Sequence, residues 1–247
     1  MPTITVNHAS KHYIVERRGL FRRGRREIGL KDASLTVQQG EFVFVIGSSG
    51  SGKSTLLRLL SGRERPSQGE VLLNGRNISR LSPVQLRRLP LLIGAVDQQH
   101  TLNHRATVEE NLRQSARVGQ RKFRDQDNCT ARIRKVLGLT GLAGMERRYP
   151  GELTAGERRR VGLAQALINS PPILVLDEIT ANLDKDSMWD VFLLLTELNR
   201  KGTTIIMSTR NSEYVNMLRR RVITLVDGQI YSDAIKGRYG ETERKNA

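Results

Sequence analysis

The densest chemistry in this chain lies in eight consecutive residues: Gly47, Ser48, Ser49, Gly50, Ser51, Gly52, Lys53 and Ser54. They fit G-x-x-x-x-G-K-[ST], in which glycines let the backbone turn successive N–H groups inward onto phosphate oxygens. Lys53 would neutralise the β- and γ-phosphates of a nucleotide. The Ser54 hydroxyl would ligate Mg2+, and Thr55 lies beside it at the start of a helix whose positive dipole end adds to the site. A second constellation is ILVLDE, residues 173–178. Four apolar residues bury a strand and deliver Asp177 and Glu178 at its carboxyl end, where α/β sheets place their ligands. Asp177 would hold Mg2+, directly or through water, and Glu178 would polarise an attacking water.

These groups need elements to position them. EFVFVI, residues 41–46, reads as a strand buried on both faces, and STLLRLLSG after the glycines reads as a helix. Residues 3–14 read as a strand with partial alternation. The segment up to residue 26 carries Arg17, Arg18, Arg22, Arg23, Arg25 and Arg26 and reads as a charged loop or hairpin. VLLNG is a short strand, and residues 107–148 are expected to be mostly helix. LTAGERRRVGLAQALI begins with a capping-type threonine and continues as helix, residues 187–200 form an amphipathic helix, and TTIIMST is a third buried strand. VITLVDGQIY looks like a hairpin around Asp227 and Gly228, and the chain from Lys236 onward is polar and expected to fray. Short apolar strands alternating with helices predict a mainly parallel α/β sheet.

Composition narrows the partners. Lys and Arg number 41 against 25 Asp and Glu, a formal charge of +16 over 247 residues. Such a charge attracts nucleic acid, anionic lipid or phosphorylated ligands without choosing among them. Aromatic residues make up only 4% of the chain, too few for single-strand stacking, so no specific nucleic-acid partner is expected. Cys129 stands alone, which excludes an intramolecular disulfide and a cysteine metal cluster. The start, MPTITVNHAS, lacks the apolar stretch of a signal peptide, and no apolar run reaches the length of a span. These features predict a cytosolic protein that meets a membrane at its surface or through a partner.

LTAGERRRV lies about twenty residues before ILVLDE, and ANLD follows it. That order of motifs resembles the ATP-binding cassette (ABC) ATPases and spans most of the chain. The resemblance implies an α/β P-loop NTPase fold of the ABC nucleotide-binding type, with a RecA-like core, an antiparallel β part and a helical subdomain. The core would comprise 1–97 and 151–235, the helical subdomain 98–150, and a polar tail 237–247. It implies ATP and Mg2+ as ligands and assigns roles residue by residue. Tyr13 matches the aromatic that stacks on adenine. Gln98 matches the glutamine that reaches Mg2+ and reports to a transmembrane partner. Thr154, Ala155, Gly156 and Glu157 match the signature that caps the γ-phosphate held by a second copy, and Asn182, Leu183 and Asp184 match the D-loop. Two chains would close head to tail around two ATP molecules. The stretch from LNRKGTTIIMSTRN to GRYG is similar to the cell-division ATPases of the FtsE family. That implies an integral membrane partner of FtsX type, control of cell-wall hydrolases, and a peripheral place on the cytoplasmic face of the cell membrane. ATPases of LolD and MacB type share much of the core, which keeps a lipoprotein or peptide export system as the alternative.

Departures from the family pattern bear on activity. Arg210 stands where the family has a histidine that orients the water and the glutamate. An arginine keeps a donor and a charge, but its fork is longer and always protonated, so hydrolysis is expected to be attenuated. Ala155 replaces a glycine, a cost if that position needs φ > 0. Gln165 replaces an arginine in the signature helix. Three functions compete: an ATPase motor under a membrane partner, a scaffold that holds ATP and rarely hydrolyses it, and a nucleic-acid-binding cassette. The first accounts for the full ordered motif set. Secondary signals have plainer readings: Arg158, Arg159 and Arg160 as a solvated helix face, Cys129 as inert, and His100 and His104 as isolated histidines. The Arg17–Arg26 cluster would touch anionic lipid headgroups or stay a solvated loop.

Overall fold

A computed structural model describes residues 3–15, 25–98, 100–116, 126–181 and 183–240. The chain forms two compact units, one of residues 1–81 with 206–247, the other of residues 82–205.

In the first unit, β1 (Ile4–Val15) pairs antiparallel with β2 (Arg25–Val37) and with β4 (Gln68–Leu73), which in turn pairs with β5 (Arg76–Asn77). β1 is bulged: its register shifts between Val6 and Ala9, where His8 sits at φ 46. Gly69 lies against this bulge, and a Cβ there would come within 2.2 Å of the His8 carbonyl oxygen. Beside these strands, β3 (Phe42–Ile46) is buried at all five positions and runs parallel to β9 (Arg221–Val226), as a strand covered on both faces should. β9 turns back antiparallel as β10 (Gln229–Ala234). The turn residues Asp227 and Gly228 both have positive φ, 46 and 78, the backbone a two-residue hairpin demands. Arg221 ties this region together. It donates to both Asp233 oxygens at 2.7 Å, to Glu41 at 2.9 Å and to the Thr36 carbonyl at 2.8 Å, and these acids raise its already high pKa, Asp233 foremost. Helices α1 (Lys53–Leu60) and α7 (Ser212–Leu218) complete the unit.

In the second unit, β6 (Ile93–Val96) and β7 (Ile173–Asp177) run parallel, Ile93 beside Ile173 and Val96 beside Leu176. Around them stand α2 (Pro83–Leu86), α3 (Val108–Ala116), α4 (Gln126–Leu139), α5 (Ala155–Leu167) and α6 (Lys185–Arg200). Gly94 lets β6 approach α5 closely, since a Cβ would meet the Ala166 carbonyl at 2.4 Å. β8 (Thr204–Ser208) carries the chain from this unit into the first, and the Thr204 amide donates to the Pro172 carbonyl at 2.9 Å.

Two regions gain detail over the sequence reading and one expectation, the fraying of the tail, changes. β2 continues to Val37 although its sequence shows no clean alternation; Asp32 at φ 46 shifts the phase between Leu30 and Ala33, so both are buried. Over 107–148 the described residues are mostly helix, as expected, in α3 and α4; after Leu139, Gly141 and Gly144, both at positive φ, carry the chain onward as turns. The tail is held beyond Lys236, because Gly237 N–H donates to the Arg220 carbonyl and Tyr239 N–H to Asn216 Oδ1. Residues 241–247, Arg17 to Arg23 and Asn182 lie outside the described residues, so the proposed lipid-facing cluster is represented only by Arg25 and Arg26 at the start of β2.

Candidate nucleotide-binding and hydrolysis site

The phosphate loop in the first unit follows β3 directly and leads into α1. Its shape depends on glycine. Gly47 has φ 148, with the Leu225 carbonyl 2.3 Å and Ser51 Oγ 2.5 Å from where a Cβ would sit. Gly52 has φ 98 and would place a Cβ 2.5 Å from the Gly29 carbonyl. Only glycine meets both demands, backbone sign and space. Gly50, at φ 79, faces open space, so its need is conformational alone. The β9–β10 turn supports the loop: Gly228 N–H donates to the Ser51 carbonyl at 3.1 Å, and Lys31 N–H donates to the Gly228 carbonyl at 2.7 Å.

Gly52 is the N-cap of α1, and no side chain caps that helix end. The first amides of the helix therefore have no intrahelical acceptor and suit an anion. Lys53 is 5% exposed, and its ammonium donates to the carbonyls of Gly47 at 2.8 Å and Ser48 at 2.7 Å. It is thus already held against the loop it would serve. Ser48 and Ser49 are exposed, Ser54 is half-buried, and Ser51 and Thr55 are buried.

Tyr13, on β1, is fixed at its hydroxyl. It donates to Glu64 Oε2 at 2.6 Å and lies 3.2 Å from Thr55 Oγ1 in the first turn of α1. The Lys11 ammonium lies 5.4 Å from the ring centroid. Burial, then the Glu64 carboxylate, raises the phenol pKa, so this hydroxyl stays protonated as a donor. Arg210 is exposed just before α7, whose N-cap is Asn211.

The second unit holds the acids. β7 is buried throughout and ends at Asp177, 2% exposed; Glu178 follows, 7% exposed, at φ 48. A left-handed backbone on a glutamate costs about 1–2 kcal/mol and persists only where its surroundings impose it. Those surroundings are visible. Gln98 Nε2 donates to Glu178 Oε2 at 3.1 Å, Arg159 Nη1 donates to the Glu178 carbonyl at 3.2 Å, and Ala181 N–H donates to the same carbonyl at 3.0 Å. Two sequence-predicted residues, Gln98 and Glu178, are therefore brought together across 80 positions of chain.

The signature segment starts α5. Thr154 is its N-cap and forms a capping box: Glu157 N–H donates to Thr154 Oγ1 at 3.2 Å, and Thr154 N–H donates to Glu157 Oε2 at 2.7 Å. That amide, first among several donors, holds the Glu157 carboxyl below its ordinary pKa. The box leaves the amides of Ala155 and Gly156 without intrahelical acceptors, which is what a phosphate would use. Ala155 is not at positive φ, so the expected cost of replacing glycine there does not arise. Gly156 is close to Leu183, whose Cδ2 would lie 3.0 Å from a Cβ. Asp184 caps α6, its Oδ1 accepting from Ser187 N–H at 2.8 Å, and this hydrogen bond lowers its pKa.

The arginines after the signature are not a solvated face. Arg158 donates to the carbonyls of Pro150 and Leu153, and Arg159 holds Glu178. Sequence reasoning missed Arg159 because nothing local says which arginine of three points back to a strand end. Cys129 is buried within α4, and among the described residues no cluster of His, Cys, Asp and Glu could hold a metal ion.

Comparison with known proteins agrees with this geometry. The ABC transporter family model matches residues 30–181. The chain is 38% identical over 211 residues to the cell division ATP-binding protein FtsE of Streptococcus pneumoniae serotype 2 (strain D39 / NCTC 7466), covering 85% of this chain and 90% of that protein. It is 37% identical over 238 residues to FtsE of Mycobacterium tuberculosis (strain ATCC 25618 / H37Rv), covering 96% and 98%. The methionine import ATP-binding protein MetN of Protochlamydia amoebophila (strain UWE25) is 40% identical over 205 residues, 83% of this chain but 59% of that protein. Among solved structures, a dimeric ATP-binding cassette in a post-hydrolysis state bound to ADP and Pi superposes with a TM-score of 0.85 at 28% identity, covering 96% of this chain and all of that one. The chain belongs to the ABC transporter family and is one of its ATP-binding, ATP-hydrolysing subunits.

Proposed function

We propose that this chain is the ATPase of a cell-division complex of FtsE type, working under an integral membrane partner of FtsX type that regulates cell-wall hydrolysis. The observation that carries the reading is the extent of the match: FtsE relatives are covered over 90–98% of their length, the MetN relative over 59%. The chain would sit at the cytoplasmic face of the membrane through that partner; among the described residues no helix is long and apolar enough to cross a membrane.

The chemistry divides by residue. The loop amides of residues 47–52 and Lys53 bind the triphosphate, and Tyr13 stacks on the base. Ser54 and Asp177 would hold Mg2+, which draws charge from the phosphate oxygens when bound. Glu178 accepts the proton of the attacking water, and Gln98 orients it. Thr154 to Glu157 of a second copy close over the γ-phosphate, with Asp184 nearby, so that two chains share two ATP molecules. The stroke passes through Gln98 and the helices after it to the membrane partner. Arg210 slows turnover, since an arginine fork replaces a compact imidazole donor.

Two experiments test this. Reconstitution with the FtsX-type partner should raise ATP turnover; no change, together with stimulation by a transporter-type partner, would overturn the cell-division assignment. Arg210→His should raise kcat while ATP binding is retained; equal turnover in both would remove the attenuation.

A further inference from the structure

The turn that carries Gln98 is fastened to α5 by an imidazole. His100 N–H donates to the Asp97 carbonyl at 3.0 Å, closing a turn that contains Gln98. The His100 side chain then reaches α5, with its Nε2 2.6 Å from Gln165 Oε1. Gln165 Nε2 donates to the Asn111 carbonyl at 3.0 Å. With its amide nitrogen so used, Gln165 offers His100 an oxygen, which requires a proton on the imidazole Nε2. Gly162, three residues earlier on α5, supplies the space: a Cβ there would lie 2.8 Å from His100 Cδ2. Asn111, 2% exposed, holds the following stretch. Its Nδ2 donates to the carbonyls of Asn103, Ala106 and Thr107, and its Oδ1 accepts from Asn103 N–H.

Helix α5 therefore grips Glu178 twice. Arg159 holds its backbone carbonyl directly. Gln165 acts at one remove, through His100 and the turn, on the Gln98 carboxamide that donates to the Glu178 carboxylate. We infer that His100 is a positioning residue for ATP hydrolysis, anchoring the Gln98 turn to α5 through Gln165 and so setting where Gln98 meets Glu178. This rests on the proposed roles of Glu178 as base and Gln98 as its neighbour.

The test compares His100→Ala, His100→Gln, His100→Asn and Gly162→Ala with the wild type and with Glu178→Gln, measuring kcat and the equilibrium affinity for ATP in each. A misplaced catalytic group costs on the order of 10²-fold. His100→Ala should therefore lower kcat by roughly ten- to a hundredfold with ATP affinity unchanged, and Gly162→Ala, which displaces the ring without altering it, should do the same in lesser degree. Glutamine places an amide nitrogen where the imidazole Nε2 lies, so His100→Gln should restore most of the rate; asparagine ends at the Nδ1 position and should not. Hydrogen exchange across residues 97–103 should speed up in His100→Ala and return to wild-type protection in His100→Gln. Wild-type kcat in His100→Ala beside an inactive Glu178→Gln would overturn the inference, as would equal rescue by asparagine and glutamine. Wild-type turnover in Glu178→Gln would instead overturn the reading on which it rests.

Discussion

The phosphate loop and the acid pair solve different folding problems. In the first unit, the site is a backbone conformation within eight residues, enforced by Gly47 and Gly52, with Lys53 bonded to carbonyls five and six positions away. In the second, it is a convergence of side chains: Gln98 on Glu178 across 80 positions, Arg159 on the same residue across 19, and His100 on Gln165 across 65. The first kind of site is local and rigid by construction. The second can be tuned, because its contacts join segments far apart in the chain.

Variants sharpen that contrast. The largest effect should be on turnover: Glu178→Gln removes the proposed general base and should lower kcat by about 10²–10⁴-fold in steady-state ATP hydrolysis. Lys53→Ala should act on binding instead. Loss of a charge-assisted hydrogen bond of about 1.5–3 kcal/mol weakens ATP affinity by roughly ten- to a hundredfold, readable by titration calorimetry. Gly52→Ala should weaken ATP binding too and cost at least the ~1–2 kcal/mol of a left-handed non-glycine residue, visible in denaturant unfolding. If Gly50→Ala, which meets open space, cost as much, sterics would not be what distinguishes these glycines. Thr154→Ala should cost about 1 kcal/mol by thermal unfolding, through loss of the α5 cap.

The smallest effect concerns pH. Glu157 has its carboxyl held low in the folded chain, so it contributes stability that is present above the ordinary glutamate value of 4.5 and is lost as pH falls through the lower folded value. Wild type and Glu157→Gln should therefore converge in thermal stability below that value and diverge above it.

What the sequence made legible follows the same contrast. G-x-x-x-x-G-K-S, the buried runs FVFVI and ILVLD, the Thr154 cap and the Asp227–Gly228 turn are all local patterns whose physics is complete within a few residues, and each appears in the structure as expected. β2 was obscured by a bulge that shifts its phase at Asp32. The left-handed backbone of Glu178, the grip of Arg159 and the His100–Gln165 contact left no local trace, since each depends on elements far apart in the chain. Ala155 shows the reverse error: a family glycine suggested a special backbone, but the helix start there is ordinary.

If ATP is bound by one set of residues and hydrolysed by another, the two properties separate in a single variant. Equilibrium ATP binding by Glu178→Gln tests it most directly, with its turnover measured alongside. Wild-type affinity with turnover lost is the expected result. Affinity lost together with turnover, or turnover retained, would contradict it.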